Sequence, residues 1–240
     1  MKIAVIGSNS FSGSHFINTL LNKTDYKVIG ISRSQEGNAI FLTYKKNIKE
    51  RFKFFQMDIN KDLDKLISLI KEEQIDSIVN FAAQGMVGQS WENPEHWFTT
   101  NTLGIVKLTN ALKKLQIKKY IQISSPESYG SCNNADETTP YNPSTPYASS
   151  KAAGDMFIKN LIDQYNFPAI FIRSTNVYGP HQQLFRIIPR SIIYLKSNKK
   201  IHLHGGGKAV KSYLYIEDVC KGILKVLEKG KIQQSRILSG

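Results

Sequence analysis

"VIGSNSFSGSHF", residues 5 to 16, decides how the rest of the chain is read. An apolar run ends at Gly7, the small residue Ser10 follows, and Gly13 stands where a helix should begin. A turn that binds phosphate between a strand and a helix needs three things in this order. It needs a tight bend, then a small residue where backbone meets the anion, then a glycine that lets helix and strand pack closely. Ser10 fills the middle place, so either the turn is slightly wider or the Ser10 hydroxyl itself donates to phosphate. A glycine pattern alone says little, but here it directly follows the first strand and opens a helix.

Working outward, short β-rich runs alternate with helix-like stretches. "KIAVIG" (2–7), "YKVIGIS" (26–32), "FKFFQM" (52–57), "DSIVNFAA" (76–83), "KYIQISS" (119–125) and "PAIFIRS" (168–174) read as strands. Residues 11–23, 61–74, 94–115 and 146–165 read as the helices between them. Strands apolar on both faces and separated by helices call for a parallel sheet covered on both sides, an α/β doubly wound fold with its ligand crevice at the carboxyl ends of the strands. After about residue 176 the rhythm breaks, with "YGPHQQ", "HGGG" and a helix near 217–229. The division expected is therefore a dinucleotide-binding domain over 1–175 and a smaller lobe over 176–240, packed over the carboxyl edge of the sheet.

A chain of 240 residues that is 41% hydrophobic is long enough for such a core. Its two cysteines, Cys132 and Cys220, are far apart and read as reduced thiols of a cytoplasmic protein. The N-terminal apolar run is too short for a signal-peptide core or a membrane span. The net charge of +13 is spread over lysines without aromatic interleaving, so it reads as solvated helix faces, not a nucleic-acid surface; its field would favour a ligand carrying a diphosphate. His202 and His204 in "HLHG" share a face if that stretch is a strand, but no acid or cysteine joins them, so no metal is expected.

At the end of the second strand, Ser32 and Arg33 stand where an acid would bind a bare adenosine ribose. A hydroxyl and a guanidinium suit a 2′-phosphate better and lean toward NADP over NAD. Asp58 after the third strand is placed to accept from an adenine amino group, and the small residues of "NFAA" (80–83) let a cofactor lie against backbone. In "TPYASSK", Tyr147 and Lys151 are four apart on one helical face. A lysine ammonium near the phenol, under a cationic nicotinamide, favours phenolate and makes Tyr147 a general base, with Ser125 completing the relay.

These motifs together resemble the extended short-chain dehydrogenase/reductases, in the NAD(P)-dependent nucleotide-sugar epimerase/dehydratase branch that holds the dTDP-glucose and GDP-mannose 4,6-dehydratases. The resemblance runs over essentially the whole chain, through "GSNSFSGSHF", "NFAAQGMVGQSWENP", "ISSPESYG", "PYNPSTPYASSKAAGD", "RSTNVYGPHQ" and "KSYLYIEDVCKGI". It implies a Rossmann domain holding NAD(P)+. The cofactor-binding set it implies adds Phe11, Ser12, Ile59, Phe81, Ala82, Ala83, Asn101 and Ser124 to Gly7, Ser10, Gly13, Ser32, Arg33, Asp58, Tyr147 and Lys151. It implies a nucleoside-diphosphate sugar as partner, held by Gln84, Asn176, Arg186 and Lys211, and a homodimer formed through residues 94–115 and 146–165.

Within that branch Glu127 points to 4,6-dehydration. The resemblance implies that Tyr147 takes the C4 hydroxyl proton as hydride leaves C4, that Glu127 removes the C5 proton of the resulting ketone, and that water leaves C6 before hydride returns there. Pro126 departs from the dTDP-glucose enzymes, which carry an Asp at this place. Proline moves no proton, so Glu127 acts as base and then acid, or a water relays. Lys211 stands where the family carries an Arg, a point charge in place of a bidentate fork. A 4-epimerase, a UDP-glucuronate decarboxylase and a catalytically inactive NAD(P)-binding protein stay open beside the dehydratase. Family members also run on past "ILSG", so either the remainder was lost or the protein works with an open substrate side.

Overall fold

A computed structural model describes residues 1–47, 50–132, 135–202, 204–208 and 210–239. Seven strands form one sheet in the order β3-β2-β1-β4-β5-β6-β9, and every pairing in it is parallel. They are β1 (Lys2–Ile6), β2 (Lys27–Ser32), β3 (Phe52–Gln56), β4 (Ser77–Asn80), β5 (Lys119–Ser124), β6 (Ala169–Ser174) and β9 (Ser235–Leu238). The order reverses between β1 and β4, which places the crevice of a doubly wound sheet at their carboxyl ends.

Successive residues of β1 face opposite ways and feed two cores. Ile3 and Val5 pack under α1 (Phe11–Lys23) and α7 (Ile216–Lys229). Ala4 and Ile6 pack under α2 (Leu63–Glu72), α4 (Ile105–Leu112) and α5 (Pro146–Tyr165). This two-sided burial is why the central strands carry unbroken apolar runs.

The chain after residue 175 divides in space. β7 (Asn176–Tyr178), β8 (Tyr213–Tyr215) and α6 (Ile187–Lys196) stand off the main sheet, with β7 and β8 forming a two-stranded parallel sheet of their own. α7 then packs on α1, and β9 pairs with β6 in the large sheet. No residue of α6 is buried.

One expectation needs correction. The span 94–115 is not one helix: α3 (Pro94–Phe98) passes into a π-helical stretch, Thr99–Gly104, before α4 begins. Gly154 on α5 lies against that stretch, and a Cβ there would meet the Asn101 carbonyl at 2.4 Å. The condition that His202 and His204 share a strand face is not met. Leu203 lies outside the described residues, and His204–Gly207 form a 3-10 turn. Among the described residues no cluster of three or more metal-ligating side chains is present, and no helix is long and apolar enough to cross a membrane.

Candidate active site and dinucleotide cradle

The turn after β1 shows what each of its residues is for. Gly7 has φ +85°, and a Cβ on it would lie 2.7 Å from the Ala82 amide nitrogen, so both conformation and space demand glycine. Ser10 has φ −72° and caps α1, its hydroxyl accepting the Gly13 N–H at 3.0 Å. The middle place therefore tolerates a side chain because the backbone there is ordinary, and the hydroxyl oxygen serves a helix amide. A Cβ on Gly13 would meet the Gly7 carbonyl at 2.4 Å, which fixes the close packing of helix on strand. No acid lies in the first turn of α1, so the positive end of its dipole is open to an anion.

Around this turn lies a cavity of about 250 Å³ at the carboxyl ends of β1 to β4. Gly7, Ser10, Ser32, Arg33, Asp58, Ile59, Phe81, Ala82 and Ala83, separated in sequence, all line it. Phe11, Ser12 and Gly13 form the first turn of α1 and are not part of that lining. The sequence reading missed Asn9, Ser34, Met57, Asn60 and Thr100, which line the cavity too. Asn9 ties two of its walls together: its amide nitrogen donates to the Ser34 carbonyl (3.2 Å), the Ser34 hydroxyl (3.0 Å) and the Gln35 carbonyl (2.8 Å). Its backbone N–H donates to Ser32 Oγ at 3.0 Å. The Arg33 guanidinium donates to Gln84 Oε1 at 3.3 Å, so Gln84 reaches toward the end of β2. The lining has the chemistry of a dinucleotide site: open amides at a helix start, donors in place of a carboxylate after β2, and small residues at the end of β4.

Two residues of the expected cofactor set are engaged elsewhere. Asn101, in the π-helical stretch, accepts the Gln84 N–H at 2.8 Å and donates to the Gln84 carbonyl and to Ser150 Oγ, both at 3.0 Å. It thereby joins the loop after β4 to α5, and a π stretch is a common way to aim such a side chain. The Ser124 hydroxyl donates to Asp155 Oδ2 at 2.5 Å.

The second cluster sits where β5 ends. Ser125 caps a 3-10 turn, Pro126–Tyr129, accepting the Glu127 N–H at 3.2 Å. Pro126 is the first residue of that turn, where its fixed φ suits the bend and its missing N–H goes unneeded. Burial pushes the Glu127 carboxyl above the usual carboxylate range against the opposing charge of Lys211, and its Oε2 is buried with no hydrogen-bond partner among the described residues. Tyr147 is on the first turn of α5, behind the Thr145 cap, and the Ser125 hydroxyl acts on its phenol to lower the pKa.

Burial bears on both Tyr147 and Lys151. Burial pushes the phenol up to about 12, and the Glu127 charge adds to that; Ser125 and the Arg186 charge pull the other way without prevailing. Lys151, 3% exposed, gives its ammonium to the Ile123 carbonyl at 2.8 Å, and burial pulls its own pKa down. In the protein alone the phenol thus holds its proton, because the desolvation of Tyr147 outweighs the charges set around it. Arg186 and Lys211 do reach the cluster electrostatically, acting on Tyr147 and Glu127 respectively. Asn176 does not: its amide donates to the Ser212 carbonyl at 3.1 Å and joins β7 to β8.

Comparison with known proteins puts this arrangement in context. The model of the NAD dependent epimerase/dehydratase family matches residues 3–238. The chain belongs to that family. Among curated relatives, human dTDP-D-glucose 4,6-dehydratase is 35% identical over 234 residues, covering 96% of this chain and 66% of the relative. The Mycobacterium tuberculosis H37Rv dTDP-glucose 4,6-dehydratase is 27% identical over 246 residues, covering 100% of this chain and 72% of the relative. Among solved structures, Bacillus anthracis dTDP-glucose 4,6-dehydratase in complex with NAD is 32% identical with a TM-score of 0.89, over 100% of this chain and 75% of that one. Bacillus cereus UDP-glucuronic acid 4-epimerase, in complex with UDP-glucuronic acid and NAD, is 29% identical with a TM-score of 0.89, over 100% of this chain and 78% of that one. The chain of this epimerase/dehydratase family member spans about two thirds of the length of the first of these curated relatives.

Proposed function

We propose that this member of the epimerase/dehydratase family is a nucleotide-sugar 4,6-dehydratase, converting a nucleoside-diphosphate hexose to its 4-keto-6-deoxy form. The observation that carries the reading is Glu127: a carboxyl kept proton-avid by burial, two residues after Ser125 and within electrostatic reach of Tyr147. A 4-epimerase has no use for a base at C5. The names of the curated relatives support the same choice.

The dinucleotide is held in the cavity around the phosphate turn, by Gly7, Ser10 and the α1 amides at the diphosphate and by Ser32 and Arg33 at the adenosine ribose. When bound, its nicotinamide supplies the acceptor and later the donor of hydride. Relatives crystallised with NAD support NAD(P)+ as the cofactor. Ser32 and Arg33, a hydroxyl and a guanidinium in place of a carboxylate, favour NADP+ within it. Tyr147, assisted by Ser125, takes the proton of the sugar's C4 hydroxyl. The ammonium of Lys151, one turn on along α5, would favour the phenolate against the burial of Tyr147 when that step occurs. Glu127 takes the C5 proton once C4 is a ketone. Since Pro126 has no proton to give, Glu127 returns its own to the departing C6 hydroxyl. Arg186 and Lys211 offer cationic partners to the sugar diphosphate, with β7, β8 and α6 on the substrate side.

Incubating the protein with dTDP-, GDP-, UDP- and CDP-hexoses and following product mass tests the reading. Loss of one water from one of them is expected. Unchanged mass with an epimerised product, or release of carbon dioxide from a uronate, would move the assignment to an epimerase or a decarboxylase.

A further inference from the structure

We propose that Asp155 and Arg173 are positioning residues that clamp the end of β5, leading to Ser125 and Glu127, onto the helix that carries Tyr147 and Lys151. The inference rests on reading those four residues as the reacting set.

Asp155 lies one turn beyond Lys151 on the same face of α5. Its Oδ2 accepts from the Ser124 hydroxyl at 2.5 Å and from the Arg173 guanidinium at 2.9 Å. Arg173 is the register partner of Ser124 across β5 and β6. Its second nitrogen arm donates to Ser235 Oγ of β9 at 3.0 Å, and it also donates to the Tyr141 hydroxyl. The rings of Tyr129 and Tyr141 flank the guanidinium, each 5.2 Å from it. Tyr129 closes the turn that holds Glu127. Each backbone element bearing a reacting group therefore sends a side chain into one cluster: β5 through Ser124, the Glu127 turn through Tyr129, and α5 through Asp155.

Stability alone is a poor reason for this pair. Both side chains are 1% exposed, so both charges have lost their water, and Asp155 Oδ1 and Arg173 Nε find no hydrogen-bond partner among the described residues. Removing a buried ion pair in favour of apolar residues is often neutral or stabilising. An apolar pair would lack direction and charge. The guanidinium fork fixes the angle between β6, β9 and α5, and the carboxylate supports the Lys151 ammonium that burial opposes. The charged groups acting on Lys151 are Asp155 from its own helix and Arg173, of opposite effect, from β6; β5 faces it with the Ile123 carbonyl.

The test uses the full chain with S124A, D155N and the apolar swap Asp155→Leu/Arg173→Met. The swap is expected to keep its melting temperature and to bind NAD+ and NADP+ within about threefold of the parent. It should nevertheless speed amide hydrogen exchange over 124–129 and lower kcat on the sugar nucleotide about a hundredfold with little change in KM, since small misplacement of reacting groups has that effect. D155N should move the alkaline limb of the kcat profile to lower pH, because the anion favouring the Lys151 ammonium is gone. S124A should lose about tenfold in kcat, regained with S124T. A swap with parental kcat and parental exchange over 124–129 would overturn the clamp, as would D155N with an unmoved alkaline limb. Should the swap not fold, S124A and D155N decide the matter. A parent that turns over no sugar nucleotide defeats the reading of the reacting set, and the exchange and dinucleotide titrations then judge the clamp separately.

Discussion

Glu127 and Ser125 are bound to each other through the backbone: the Glu127 amide donates to the Ser125 hydroxyl at 3.2 Å, so the proposed C5 base and the hydroxyl of the proposed relay move as one turn. Glu127→Gln keeps that amide and its shape while removing the base. Water loss from the sugar nucleotide should fall by about a thousandfold or more while reduction of bound dinucleotide survives in part, read by product mass and by absorbance of the reduced nicotinamide. The same variant has a stability signature. A carboxyl whose pKa is raised on folding binds its proton more tightly in the fold, so its cost appears as pH rises from the unfolded pKa through the folded one. Glu127→Gln should therefore melt higher than the parent at neutral pH and match it in acid.

Lys211 is exposed and its charge is what restrains the upward shift of Glu127. Lys211→Ala should raise the pH at which Glu127 gives up its proton and move the acid limb of the kcat/KM profile upward. The difference from the parent should shrink in high salt, because an exposed charge is screened. An acid limb identical in both proteins at low salt would contradict the contact.

Gly7→Ala meets both an unfavourable φ and the end of β4, since its Cβ would sit 2.7 Å from the Ala82 nitrogen. The expected loss is about 1–3 kcal/mol of stability by urea unfolding, accompanied by weakened dinucleotide binding measured by calorimetry. Ser10→Gly, at an ordinary φ, should lose only a few tenths of a kcal/mol as an altered cap.

Arg33→Ala separates the cofactors. Loss of one charge-assisted contact to a 2′-phosphate should weaken NADP+ on the order of tenfold and leave NAD+ nearly unaffected. Equal weakening of both by calorimetry would assign Arg33 to the fold of the loop after β2 and away from the phosphate.

We propose that two copies of this chain pair through α3, the π-helical stretch and α5, which expose Phe98, Leu103, and Met156 with Tyr165, respectively. Leu103→Asp should convert a dimer to a monomer in sedimentation at micromolar concentration, with an unchanged circular dichroism spectrum.

Much of this was legible in the chain because of where burial falls. The strands of the sheet centre are covered on both faces, so β1, β2 and β5 announce themselves as apolar runs, and Tyr147 and Lys151 share a face by spacing alone. β9 is a four-residue edge strand, "SRIL", whose two apolar residues point to opposite faces, and α6 buries nothing, so burial marks neither in the sequence. The π stretch was read through as helix because its residues are ordinary helix residues; Asn101 owes its direction to an extra residue in the turn, which composition does not mark. Asn9 went unseen because its work is done on Ser34 and Gln35, partners that only the loop after β2 brings near. The elevated phenol of Tyr147 was invisible for a different reason: spacing tells which groups are neighbours and says nothing of how much water they have lost.

The position of β9 also orders the events of folding. Every wall of the dinucleotide cavity comes from residues before 101, whereas β6 acquires its outer neighbour only when residues 171 and 235 meet. Loops of that length close slowly compared with neighbouring strands and helices. The cavity lining is thus complete in sequence before the far edge of the sheet is made, and its pairings are local where those of the far edge are long-range.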